Sequence, residues 1–156
     1  MLTILGANSV SGYEIDHSYM IDSAAAAGIA RFGNNSRNGD TFTISFWLKR
    51  TKFGTNQILV ASKVEDSGSN AFVFQFTDAD KIKIQGQPQA GTTGAGNNRV
   101  VILSTPVYRD PSAWYHIVYR HDTTQGTAGN RHRLYVNGVQ QATDTNDALD
   151  QNTEFL

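Results

Sequence analysis

From Thr41 to Lys49 the chain alternates: Phe42, Ile44, Phe46 and Leu48 take every second position, with Thr41, Thr43, Ser45 and Trp47 between them. Successive side chains of a strand point to opposite faces, so this pattern predicts a half-buried strand over 41–49. Ala71–Thr77 repeats the period with Phe72, Phe74 and Phe76, and Lys81–Gln85 repeats it with Ile82 and Ile84. Thr77-Asp78-Ala79-Asp80 lies between these two segments and carries turn residues, which predicts a hairpin. Gln57–Ala61 and Arg99–Ser104 are continuous apolar runs, short and rich in β-branched residues, and both features favour strand over helix. Trp114–His121 is bulky at both parities. It predicts a central strand, either covered on both faces or covered on one and lined with aromatics on the other. Leu134-Tyr135-Val136 runs into Asn137-Gly138 and Val139; Asn-Gly favours positive φ at both turn positions and so predicts a type I′ hairpin.

The helix candidate is Asp22–Ala27, with its four alanines, but so short a helix is marginal on its own. The alternation around Tyr19, Ile21, Ile29 and Phe32 favours a strand-turn-strand there. Two long polar loops, Gly86–Asn98 and Asp122–Asn130, hold too little apolar surface to offset the entropy of ordering them. Loops of that length are usually functional or disordered. Seven or more strands separated by polar turns predict an all-β fold, a two-sheet antiparallel sandwich.

A chain of 156 residues fits one domain. Its 13 basic and 14 acidic residues leave a net charge of -1, which argues against a nucleic-acid binder and against charge-driven attachment to an anionic membrane. The absence of cysteine excludes disulfides, zinc–thiolate sites, iron–sulfur clusters and a cysteine nucleophile. It also mildly favours a bacterial or viral source. Met1–Asn8 has no basic n-region and too short an apolar run for a signal peptide, and no apolar stretch approaches a membrane span. The expectation is a protein made in the cytoplasm that reaches the exterior by lysis or within a particle.

The segment Asp110-Pro111-Ser112-Ala113-Trp114-Tyr115-His116-Ile117-Val118-Tyr119, followed after a loop by Arg133-Leu134-Tyr135-Val136-Asn137-Gly138-Val139, resembles the laminin-G-like, concanavalin A-like jelly-roll superfamily. Thr43-Ile44-Ser45-Phe46-Trp47-Leu48-Lys49 is similar to that superfamily's early strand, with its Ser-x-Trp pattern. The resemblance implies a jelly-roll sandwich over residues 19–156. A narrower resemblance, of Ser11-Gly12-Tyr13-Glu14-Ile15-Asp16-His17-Ser18 and the Phe46–Arg50 strand, is to jelly-roll domains of tailed-bacteriophage tail fibres and other virion surfaces. It implies a non-enzymatic virion structural protein, a tail or tail-fibre component. Such a protein would assemble with other virion proteins or sister subunits as a homo-oligomer and contact a host-surface glycan. A carbohydrate-binding module of a bacterial enzyme or adhesin, and a capsid decoration protein, are the alternatives.

Residues 1–18 are expected to form an extended arm outside the core, since Leu2, Ile4 and Leu5 precede the link from Asn8 to Gly12 and would need a partner to cover them. After Asn137-Gly138 the resemblance implies about two closing strands, whereas Gln140–Leu156 is acidic, with Asp144, Asp147, Asp150 and Glu154 and no basic residue. The expectation is a sandwich lacking its closing strands. Either the native chain continues beyond Leu156, which we favour, or a neighbouring subunit pairs with the open edge.

Candidate chemistry is sparse. His17, His116, His121 and His132 show no metal-ligand spacing, and His116 and His121, five apart on one strand, face opposite ways. His116 is expected to be a hydrogen-bonded sheet residue. There is no Gly-x-Ser-x-Gly elbow and no phosphate loop opening a helix. The superfamily's glucanases carry Glu-x-Asp-x-x-Glu on one strand, and no such pattern occurs here. Glu14 and Asp16 lie in the expected arm, and Asp78 and Asp80 are expected to serve the turn. No catalytic residue and no metal ligand is therefore assigned, and no cofactor is expected. The resemblance does bring in calcium, for which Asp66, Asn70, Asp122 and Asn130 are the loop oxygens; none aligns with a calcium motif, so solvated loops are expected. Trp47, Trp114, Tyr108 and Tyr115 form either a sugar-stacking platform or core, and core is expected for Trp114 because aromatics dominate such cores. Asn34-Asn35-Ser36 matches a glycosylation sequon, read as chance.

Overall fold

The computed structural model describes residues 39–63, 70–86, 99–145 and 149–153, all within the compact unit spanning residues 37–156. The expected arm over 1–18, the segment around Asp22–Ala27 and the loop 87–98 lie outside the described residues. Nine strands are described: β1 Thr41–Lys49, β2 Gln57–Lys63, β3 Asn70–Phe76, β4 Ile82–Gly86, β5 Arg99–Ser104, β6 Trp114–Asp122, β7 His132–Val136, β8 Val139–Gln140 and β9 Thr143–Thr145. They form two antiparallel sheets, a four-stranded one in the order β1-β6-β7-β8 and a five-stranded one in the order β2-β3-β4-β5-β9. The fold is the expected all-β sandwich. Among the described residues no helix is long and apolar enough to cross a membrane.

The alternation has direct packing consequences. Phe42, Ile44, Phe46 and Leu48 of β1 pack against a core of Phe72, Phe74, Phe76, Ile82 and Ile84 from one sheet and Ile117, Tyr119, Leu134 and Val136 from the other. Ring contacts cross between the sheets: Phe46 meets Phe74 edge-on at 5.5 Å, and Phe42 meets Phe72 edge-on at 5.8 Å. Such geometry suits the quadrupole of the rings.

The two continuous apolar runs have a physical reason that alternation alone hides. β2 pairs Ile58 with Gln75 and Val60 with Phe74, so Leu59 is an extra residue; β5 pairs Ile102 with Ile84 and Val100 with Gln85, so Val101 is another. A bulge of this kind breaks the period of two. Consecutive residues such as Val101 and Ile102 can then both be fully buried.

Both tight turns follow the sequence. Asp80 N–H donates to the Thr77 carbonyl at 2.9 Å, with Asp80 at φ 60°. Asn137 and Gly138 have φ of 51° and 79°, the positive pair a type I′ turn requires.

Two expectations need correction. The sandwich does not stop at the Asn137-Gly138 hairpin: β8 pairs with β7, the chain crosses to the other sheet, and β9 pairs with β5. Leu149 then enters the core fully buried. The acidic character of this segment obscured it, and Asp144 of β9 in fact forms an ion pair with Lys81 of the β3–β4 hairpin in the same sheet. Nor is Asp122–Asn130 a loose loop. Asp122 accepts from Thr124 Oγ1 at 2.6 Å and Gln125 Nε2 at 2.7 Å, and Ala128–Asn130 makes a 3-10 turn. Arg131 is buried among main-chain carbonyls, donating to Gln125 at 2.9 Å and to Leu149 at 2.5 Å. Polar bonds order this loop where apolar burial would not, because a buried guanidinium must be satisfied.

Candidate functional site

The outer face of the four-stranded sheet is set by parity and register. β1 turns Thr41, Thr43, Ser45, Trp47 and Lys49 outward, every one of them exposed. β6 turns Trp114, His116, Val118, Arg120 and Asp122 outward, while Tyr115, Ile117, Tyr119 and His121 are buried. Pairing places Trp114 beside Lys49, His116 beside Trp47, Val118 beside Ser45 and Tyr135, and Arg120 between Thr43 and Arg133. The face thus runs from an aromatic end to an arginine end.

Trp47 and Trp114 are 55% and 52% exposed. Large apolar groups gathered on one exposed face mark it as a candidate binding surface. The indole of Trp47 stacks on the His116 ring, with centroids 4.8 Å apart and planes 18° apart. His116 Nε2 lies 3.0 Å from Ser45 Oγ, and its main-chain N–H donates to Asn137 Oδ1 at 2.8 Å. His116 is therefore the hydrogen-bonded sheet residue expected, and it also braces Trp47. The expectation of Trp114 as core is overturned. Trp114 shares the parity of Arg120 and Asp122, whereas Tyr115, one residue on, takes the core side together with Tyr108.

The aromatic end is held from beneath. Arg50, the residue after β1, is buried and donates to the Tyr108 carbonyl at 2.6 Å, to Gln57 Oε1 at 2.9 Å and to Asp80 Oδ1 at 3.0 Å. Its guanidinium carbon lies 3.9 Å above the Phe76 ring. Arg109 Nε donates to the other Asp80 oxygen at 2.7 Å, and the Gly54 N–H adds a bond of 2.9 Å. Burial works against ionisation of Asp80, but the bonds from Arg109, Gly54 and Arg50 outweigh it and bring its pKa to about 2. Asp80 was expected to serve only the turn; its partners lie in other loops, which no local pattern reveals. On the approach to β6, Asp110 accepts from both the N–H and the hydroxyl of Ser112, at 2.8 and 2.6 Å, fixing the turn that presents Trp114.

Calcium does not fit the oxygens the sequence offered. Both Asp122 oxygens are occupied by donors: Thr124 on one, Gln125 and Arg120 on the other, the last at 2.5 Å. Those bonds, led by Thr124, hold its pKa at about 2. Asn130 Oδ1 accepts from Arg133 at 2.6 Å. A cation at either position would meet a guanidinium. Asp66 and the Asn70 side chain lie outside the described residues. Among the described residues no group of three or more His, Cys, Asp or Glu could hold a metal. Glu14 and Asp16 also lie outside them.

Beneath the same face lies a second, buried cluster. The Tyr119 hydroxyl lies 2.9 Å from His132 Nδ1 and 3.3 Å from His121 Nδ1, and Phe42 stacks on His121 at 4.6 Å. Burial lowers the pKa of His121 to about 4 against the pull of Asp122 and the Gly39 main chain, and raises that of Tyr119 well above 10. His121 and Tyr119 are therefore neutral at physiological pH.

A two-sheet sandwich with exposed aromatics on one sheet face is the architecture of sugar-binding and sugar-cleaving proteins alike. A family model described as the concanavalin A-like lectin/glucanases superfamily, of laminin G type, matches residues 24–156, and the chain belongs to that family. No curated protein and no solved structure matches the chain.

Proposed function

We propose that this chain is a non-enzymatic recognition module that binds a polysaccharide across the outer face of the four-stranded sheet, as a surface component of a bacteriophage tail or tail fibre. The observation that carries the binding role is the exposed pair Trp47 and Trp114, with His116 bracing the first. Indole faces take the apolar faces of sugar rings, and neighbouring serine, threonine and lysine groups supply hydrogen bonds to hydroxyls. The absence of catalysis is supported by carboxylate supply. Glycoside hydrolysis needs two acids flanking the bond, and the described part of this face has one, Asp122, already held by Arg120. The virion setting is supported by the phage-like segments Ser11–Ser18 and Phe46–Arg50.

A glycan array probed with the full chain tests the binding role. Retention lost in Trp47→Ala and Trp114→Ala, with unchanged melting, is the expected result; no retention by folded protein would remove the reading. Mass spectrometry of purified particles tests the setting, and absence of the chain from them would leave only the carbohydrate-binding module.

A further inference from the structure

We infer that the polysaccharide is acidic, an oxyanion-bearing chain that stacks on Trp47 and Trp114 at one end of the face and is read by Arg133 and Arg120 at the other. This rests on the glycan-binding reading above and adds the charge of the ligand.

Arg120 and Arg133 are direct cross-strand partners on the outer face. Like charges placed directly opposite in a ladder are destabilising, so the sheet gains nothing internal from the pair. Their satisfaction is unequal. Arg120 donates to the Asp122 carboxylate, whereas Arg133 donates through one Nη to a neutral amide, Asn130 Oδ1. The Arg133 Nε is buried with no acceptor. A guanidinium offers five donors in a fixed fork suited to carboxylate or sulfate; the buried Arg133 Nε is out of a ligand's reach, so an anion would be met by the Nη groups of Arg133 and Arg120. Arg120, the cross-strand partner of Arg133, lines an open depression of about 300 Å³ together with Thr41, Phe42, Thr43, His121 and Asp122. Lys49, beside Trp114, adds a further positive charge at the aromatic end.

The spacing favours a polymer. Thr43, the register partner of Arg120, is four residues along β1 from Trp47, roughly 13 Å at strand rise, too far for one sugar to reach both. The chain as a whole carries -1, so it lacks the basic excess with which proteins track the continuous phosphates of a nucleic acid; the positive charge on this face is local, at Arg120, Arg133 and Lys49.

The test compares polygalacturonate with its methyl-esterified form, within an array that also holds sulfated and neutral polysaccharides and a single-stranded oligonucleotide. The expected result is retention confined to acidic glycans, lost on esterification or absent from neutral polymers, and weakened by salt. The uronate and sulfate arms tell which oxyanion is preferred. Arg133→Gln should weaken acidic binding by about tenfold to a hundredfold, the range for hydrogen bonds to charged groups. Thr43→Glu, a change at an exposed position that offers Arg120 an internal carboxylate, should do the same and serves if Arg133→Gln fails to fold. Equal binding of neutral glycans, or unchanged affinity in both variants, would overturn the acidic preference while leaving glycan binding intact. Retention of no glycan at all would overturn the underlying reading. An oligonucleotide bound more tightly than any glycan, or self-association abolished by Trp47→Ala, would assign the face to another occupant.

Discussion

The two sides of β6 carry similar chemistry and opposite fates. Outward stand Trp114, His116 and Arg120; inward stand Tyr115, Tyr119 and His121. Each side has aromatic rings and an imidazole. The inner set is locked ring against ring, with Tyr119 touching Phe42, Phe72, Phe74, His121 and His132. The outer set leaves the Trp114 indole half in water, like that of Trp47 on the neighbouring β1. Aromatic content therefore says little about role; what a ring touches decides whether it contributes to stability or awaits a ligand. The contrast yields outcomes that differ in kind as well as in size.

The largest effect belongs inside. Tyr119→Ala removes a fully buried ring and should cost about 3–5 kcal/mol, the range for aromatic-to-alanine changes in cores, measured as a drop in urea midpoint. Next comes acid. His121 has a folded pKa of about 4 against 6.5 when unfolded, so the unfolded chain binds the proton first. Stability should hold above pH 6.5 and fall by on the order of 3 kcal/mol between pH 6.5 and 4. Asp80 and Asp122 act lower: their contribution is full above the unfolded value of 3.8 and is lost progressively as the pH falls from 3.8 to about 2, where the folded carboxyls take up their protons. Urea midpoints across pH should show the His121 slope in the wild type and not in His121→Phe; a slope that survives the substitution would place it elsewhere.

At the hairpin that bounds both faces, Gly138 sits at φ 79° with open space where a Cβ would go. Gly138→Ala should therefore cost about 1 kcal/mol through backbone strain alone, and a calorimetric scan would register it as a small fall in Tm. The smallest stability change is expected outside. Trp47→Ala and Trp114→Ala should alter folding free energy by about 0.5 kcal/mol or less, while lowering glycan affinity roughly tenfold or more. A large fall in Tm would mean these indoles are structural after all.

Much of the fold was legible because alternation records burial directly: β1, β3 and β4 match their patterns within a residue, and Asn137-Gly138 specifies its own turn. The candidate face was half legible. Trp47 shares parity with Thr43, Ser45 and Lys49, so its outward direction could be read from β1 itself. Trp114 was misjudged because the motif surrounding it is bulky at both parities. Parity with Arg120 and Asp122, six and eight positions on, was the signal that could have corrected it. The Arg50–Asp80–Arg109 network was not legible at all. Asp80 meets Arg50 and Arg109 across 30 and 29 residues of chain, and no periodicity encodes such a meeting. Register was likewise out of reach, and with it the pairing of Arg120 with Arg133.

The order of the strands also makes a clock. β2 to β5 follow one another as neighbours in their sheet, so that sheet can grow by successive local zippering. β1 instead waits for β6: Ser45 and His116, joined on the outer face, are 71 residues apart. Closing a loop of that size before any contact rewards it is slow. On a ribosome β1 stays without this partner until Trp114–Asp122 has emerged. The stacking of Trp47 on His116 thus follows the zippering of β2 to β5, and indole fluorescence at that pair should time the closure of β1 on β6. By the same logic, the proposed glycan face does not exist until β1 and β6 have met.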